Sequence, residues 1–349
     1  MLLRATAAAA VALFVLLALG ACAGRASSAA AAPGPAEGFL PGADGVRLHY
    51  RVLGRGAETV VAVHGGPGAG IQSLLPELEP LAERYRVVFY DQRGGGLSDL
   101  PTDTDLLGAR QHVADLEAVR RFFGLERMRV IALSFGALVV ARYAEEHPER
   151  LERIVFFGAV GPRRAEAADL ARATPADGDP LKRERSMALL RSLTGGASSD
   201  PVADCREYEA LGRELAIARG ESGAWKGTAC AMPPEALLYY FQHTARVGPQ
   251  SFGDWDFTGS LGHLEAPLLV IHGALDAGGV ELQRAWIEAV PNGRLLLIPG
   301  GGKGVSADRP ELFFPAVETF LAGEWPPATE PGGVDEGGRG SVDPGKEAP

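Results

Sequence analysis

Two periods of apolar spacing alternate along this chain. Short runs rich in Val, Ile, Leu, Phe and Tyr fall at 46–52, 59–63, 86–90, 128–133 and 154–157, and again at 267–271 and 294–298. Between them, segments 74–85, 110–123, 137–147, 282–289 and 311–321 repeat apolar residues at helical spacing. Strand-length runs alternating with amphipathic helices imply an α/β fold, a mostly parallel sheet covered on both faces. The rhythm breaks over 162–260, which has helical pieces and no clear strand. That stretch reads as a helical cap inserted after the strand at 154–157. It would lie over the sheet's C-terminal edge, where open α/β sheets bind ligands.

The two ends follow other patterns. Arg4 supplies a short positive region and residues 5–20 are almost wholly apolar, which reads as a signal peptide over 1–21. Leu19-Gly20-Ala21-Cys22 resembles the bacterial lipobox, in which the cysteine is acylated, so Cys22 is the candidate lipidation site. A signal cleaved without lipidation, or a short uncleaved anchor, explains the same apolar run. Residues 22–37, mostly Ala, Ser, Gly and Pro, read as a flexible tether. Residues 326–349 are poor in apolar side chains and read as a disordered tail. This leaves a core in two parts, 38–161 and 261–325, with the cap at 162–260 between them. The expected location is the bacterial cell envelope, with the membrane engaged through the lipid.

Composition narrows the partners. The net charge of −10 over 349 residues offers no basic stripe for phosphates, which argues against nucleic acid. In an exporting compartment Cys205 and Cys230, both in the cap, are open to pairing; two separate buried thiols explain them equally well.

The candidate chemistry sits at strand ends. Ala132-Leu133-Ser134-Phe135-Gly136 follows a strand and opens a helix, the pattern of a nucleophile elbow, with Ala132 where glycine is usual. A serine capping the helix is the plainer reading of that motif alone. His64-Gly65-Gly66-Pro67-Gly68 and Asp91-Gln92-Arg93-Gly94-Gly95-Gly96-Leu97-Ser98 follow the two preceding strands. With Tyr143-Ala144-Glu145-Glu146-His147-Pro148-Glu149 in the same order, the chain resembles α/β-hydrolases of the proline iminopeptidase-like group over roughly residues 40–325.

That resemblance implies an eight-stranded-type sheet and hydrolysis of peptide-like amides or esters, with a small-molecule or peptide substrate and no metal or cofactor. It places the nucleophile at Ser134, the oxyanion donors at the N–H groups of Gly66 and Phe135, and the triad carboxylate at Asp276 in the loop Gly273-Ala274-Leu275-Asp276. His64, Asp91 and Arg93 are expected to brace loops. The family has Trp after its nucleophile, so Phe135 loosens the link to proline specificity.

The base position departs from the family. Gly300-Gly301-Gly302-Lys303-Gly304 carries Lys303 where the family's histidine stands, with Pro310-Glu311 in register, and no histidine follows His272. A lysine amine ordinarily titrates near about 10.4, and bringing it to neutrality costs about 4–5 kcal/mol. The expected state is an Asp276–Lys303 ion pair that leaves Ser134 without a base. His243 and His272 are expected to be structural. Two functions follow: a serine hydrolase with an unusual base, or a degenerate hydrolase that binds a ligand or partner at the envelope. Trp225, Tyr239, Tyr240, Phe241, Trp255 and Phe257 are expected either to line its pocket or to form the cap core.

Overall fold

Val, Ile and Leu runs build a single nine-stranded sheet in the order β1-β2-β4-β3-β5-β6-β7-β8-β9. The computed structural model describes residues 36–166, 179–218 and 220–332, so the signal segment, Cys22 and the final residues from 333 lie outside it. The strands are β1 Glu37–Pro41, β2 Arg47–Leu53, β3 Thr59–Val63, β4 Arg86–Tyr90, β5 Met128–Leu133, β6 Leu151–Phe157, β7 Leu268–Gly273, β8 Gly293–Ile298 and β9 Glu330–Pro331. β3 to β8 run parallel, while β1, β2 and β9 pair antiparallel at the edges.

The helices are α1 Leu75–Leu78, α2 Ala109–Phe122, α3 Gly136–Glu146, α4 Pro180–Thr194, α5 Pro201–Ala218, α6 Pro234–Tyr239, α7 Ala245–Ser251, α8 Ala277–Glu288, α9 Val305–Asp308 and α10 Pro310–Leu321. Central strands carry unbroken apolar runs, such as 60–63, 130–133 and 154–157, because both of their faces are covered. Val61, Val63, Val130 and Val270 pack with Leu116 of α2, Leu138 of α3 and Trp286 of α8. Their sequence neighbours Val60, Ala62, Ile131 and Ile271 face the other way, toward Leu78 of α1 and Phe313 and Phe320 of α10. The period of two thus divides one sheet between two cores.

Three local features differ from the expectation. β1 is too polar to read as a strand, and it forms because its register on β2 buries Leu40. Residues 74–85 give one α-helical turn and then a 3₁₀ segment, Glu79–Glu83, since Pro76 and Pro80 each remove a backbone donor. The tail assigned to 326–349 is not wholly without structure, because Glu330 and Pro331 pair with Leu295 and Arg294 of β8.

The cap is helical, with one isolated bridge between Arg163 and Asp256. Cys205 of α5 and Cys230 form a disulfide, S–S 2.07 Å, within a small core of Leu193, Met232, Leu237 and Phe241.

Candidate active site

The serine turn is set by steric demands. β5 ends at Leu133 and Ser134 takes φ +52°, a left-handed conformation that strains any residue with a Cβ. Its neighbours must be small: a Cβ on Gly136 would lie 2.6 Å from the Val63 carbonyl oxygen, and one on Gly65 2.9 Å from the Ser134 Cβ. The Ala132 methyl fits without exposure. Ser134 is half-buried and faces a cavity of about 560 Å³.

Gly65 and Gly66 line the same cavity. Among the described residues, the N–H groups of Gly66 and Phe135 donate to no acceptor. The Phe135 ring turns into the core, edge-on to His112 and Phe252. His64 is buried, and its two ring nitrogens are committed. Nδ1 donates to the Gly65 carbonyl at 2.8 Å and Nε2 accepts from the Gln92 N–H at 3.1 Å. Only a neutral ring satisfies both, and burial pushes its pKa down in agreement. His64 shapes the loop and is no base.

Arg93 and Asp91 also brace. The buried Arg93 guanidinium makes a two-pronged pair with Asp115, at 2.6 and 2.7 Å, and donates to the carbonyls of Leu106 and Ala43. Asp91 accepts from the N–H groups of Ile71 and Leu97 and from His49.

The base side is different. Lys303 lines the cavity with Ser134, and it is exposed. Gly158, at φ +50°, lets the loop pass: a Cβ there would lie 2.9 Å from the Lys303 carbonyl oxygen. The expected Asp276–Lys303 ion pair is not formed among the described residues. Asp276 lies instead beside His272, whose Nε2 is 3.6 Å from the carboxylate and 3.2 Å from the Asp276 carbonyl. A fixed imidazole at the strand end needs no ordering, whereas an exposed ammonium must give up hydration and rotamer freedom to pair. Burial lowers the His272 pKa, with Asp276 opposing the shift and Lys303 adding to it. Its Nδ1 is buried without a partner among the described residues. Ser134 and Lys303 both line the cavity, whereas Asp276 and His272 are not among its lining residues.

The cap closes the cavity with two of the expected aromatics, Trp225 and Tyr240, and with polar groups that the sequence did not single out. Tyr208, Glu209 and Arg213 come from α5, Glu221 and Trp225 from the loop after it, and Tyr240 from the turn after α6. Glu209 accepts from Thr228 Oγ1 at 2.7 Å and the Ala229 N–H at 2.9 Å. Although Glu209 neighbours Cys205 and Cys230, their sulfurs are in the disulfide and offer no thiolate to a metal. Two carboxylates of the core hold this cap wall. Glu77 accepts from the N–H groups of Lys226 and Gly227. Asp308 accepts from the Ser222 N–H at 3.0 Å and from the Gly302 N–H, next to Lys303, at 2.8 Å. No periodicity marks these residues, because their roles depend on contacts across the cap–core seam. Of the cap aromatics, Trp225 and Tyr240 line the cavity. Trp255 and Phe257 belong to the main core, and Phe241 to the cap core. His243 stacks on Tyr239, ring centroids 4.8 Å apart.

Comparison with known proteins agrees with this architecture. A family model described as alpha/beta hydrolase fold matches residues 58–310. A probable proline iminopeptidase of Streptomyces coelicolor is 28% identical over 319 residues, covering 82% of this chain and 95% of that protein. A proline iminopeptidase of Xylella fastidiosa is 34% identical over 131 residues, 37% of this chain and 42% of its own length. Among solved structures, the proline iminopeptidase of Mycobacterium smegmatis superposes with a TM-score of 0.60 at 23% identity, covering 82% of this chain and 97% of that one. VinJ gives a TM-score of 0.65 at 22% identity over 83% of this chain and 99% of its own. With the elbow, the glycine loops and the sheet order in place, the chain belongs to the α/β-hydrolase family, among relatives that include proline iminopeptidases.

Proposed function

We propose that this protein is an exported serine hydrolase acting on peptide-like esters and, far more slowly, amides, with Ser134 as nucleophile and Gly66 and Phe135 as oxyanion donors. The observation that carries this reading is the left-handed Ser134 opening into a cavity beside two unengaged N–H groups. Lys303 occupies the base position and is exposed. Among the described residues no histidine lines the cavity with Ser134, so none takes the Ser134 proton or returns it to a departing amine. The Ser134 proton passes to solvent in the open cavity, so substrates whose leaving group departs without a proton react and amides lag. Glu209 and Glu221 in the cap wall suit a substrate bearing an N-terminal ammonium.

The test compares aminoacyl p-nitrophenyl esters with aminoacyl p-nitroanilides on wild type, Ser134→Ala and Lys303→His. Ester turnover that depends on Ser134, anilide turnover near background, and a large rise in anilide turnover for Lys303→His are expected. Loss of a triad histidine costs on the order of 10⁶ in turnover, which sets the scale of that rise. Equal ester turnover in Ser134→Ala would sink the proposal.

A second reading is a degenerate hydrolase that binds a small ligand or partner at the envelope. It is favoured by Asp276 lying beside His272 with no ion pair to Lys303 among the described residues, and it predicts ligand-induced thermal stabilisation with no covalent labelling of Ser134. Export and lipidation at Cys22 rest on the sequence, and metabolic labelling with a fatty-acid analogue in wild type and Cys22→Ser tests them. Loss of labelling in Cys22→Ser supports lipidation, and retained labelling refutes it.

A further inference from the structure

The glycines of both loop motifs do more than clear the oxyanion site: they seat one turn of the cap. After α6 the chain makes a π-helical turn, Tyr240–Thr244, an element that often marks functional sites. Thr244 is fully buried and its Oγ1 donates to the Gly94 carbonyl at 2.8 Å. A Cβ on Gly68 would lie 2.6 Å from Thr244 Cγ2, and one on Gly94 2.6 Å from Thr244 Oγ1. Both glycines have positive φ, +83° and +74°. Just before the turn, the Tyr239 hydroxyl donates to the Pro101 carbonyl. The turn is thereby fixed against the core from both ends.

Tyr240 is the residue this clamp delivers. It lines the cavity with Ser134, and its hydroxyl lies 3.1 Å from where a Cβ on Gly66 would stand. The backbone nitrogen bonded to the Gly66 Cα carries the first oxyanion N–H. Among the described residues the Tyr240 hydroxyl makes no hydrogen bond, so its proton is uncommitted. Burial raises its pKa to about 12, which keeps it a neutral donor at physiological pH.

We propose that Tyr240 is a third oxyanion donor, a catalytic residue contributed by the cap, whose hydroxyl binds the carbonyl oxygen as it gains charge. The inference rests on the reading of Ser134 as nucleophile. It adds stabilisation of the tetrahedral intermediate at a site where the base is impaired, and it makes the oxyanion site complete only with the cap seated.

The experiment measures fluorophosphonate labelling rates, together with kcat and KM on a p-nitrophenyl ester, for wild type, Tyr240→Phe, Lys303→His and the double variant. Removing one oxyanion donor typically lowers turnover by about 10²–10³. Tyr240→Phe should slow labelling and kcat by at least about tenfold in both backgrounds, with KM and Tm unchanged. Unchanged labelling by Tyr240→Phe, in a protein that does label, overturns the proposal alone. So does a raised KM at constant kcat, which marks a substrate contact rather than an oxyanion donor. Absence of labelling in both wild type and Lys303→His overturns the nucleophile reading, and this one with it.

Discussion

The two walls of the cavity are made in opposite ways. The Ser134 wall is a strand, a strained turn and a helix, with every neighbour's size dictated by backbone contact. The facing wall is a glycine loop bearing Lys303 and a cap that carboxylates tie to the core and a disulfide staples internally. The first is fixed by close packing, which is stiff and admits few side chains. The second is fixed by separable polar ties, each worth about 0.5–1.5 kcal/mol net. Change of side chain is easier to accommodate on the second wall, where Lys303 reaches water.

Breaking the packed wall should unfold the whole domain, whereas breaking the tied wall should release only the cap. The largest effect is expected from Arg93→Met, which strands buried Asp115 without its partner. Removing one member of a buried pair costs about 3–5 kcal/mol, and urea denaturation should show it as one cooperative transition. Adding Asp115→Leu should recover much of the loss, and no recovery would mean that the pair is not the source.

Next is the Cys205→Ser/Cys230→Ser double variant. Opening a bridge across 25 residues should cost about 3 kcal/mol, confined to the cap. Limited proteolysis should cut the cap while the core stays intact; simultaneous loss of both would erase the distinction between the walls. Asp308→Asn should cost about 1–2 kcal/mol by weakening its contacts to Ser222 and Gly302. Hydrogen exchange should then rise together at 220–225 and 300–305. A rise at one segment alone would show that Asp308 does not join cap to base loop.

The smallest effect at neutral pH belongs to the core histidines. Burial lowers the pKa of His64, His112 and His272, that of His112 to about 3. The unfolded chain binds these protons near about pH 6.5 while the folded chain does not. The contribution of these three histidines is therefore flat above that pH and falls as pH drops below it. Urea midpoints from pH 8 to 5 should decline less steeply in His112→Phe, and equal slopes would remove His112 from the account.

Much of this was legible in the sequence, for reasons visible in particular residues. The elbow at Ser134 was readable because Gly136 and Gly65 are forced by contacts with backbone and Cβ atoms. The bracing role of His64 and Arg93 followed from the same loops. The Asp276–Lys303 pair failed because adjacency of family positions does not orient two side chains, and His272 stood closer. Glu209 and Glu221 were hidden, and Tyr240 could be named only as one of six cap aromatics, because what they face across the seam between cap and core lies far along the chain.

The sequence by itself determined the family and the strand-turn-helix around Ser134, since local periodicity and backbone sterics are written in neighbouring residues. Only the tertiary structure decided what faces Ser134. Which carboxylates, which phenol and which end of Lys303 reach the cavity depends on how the cap packs on the sheet, a long-range outcome with no local pattern.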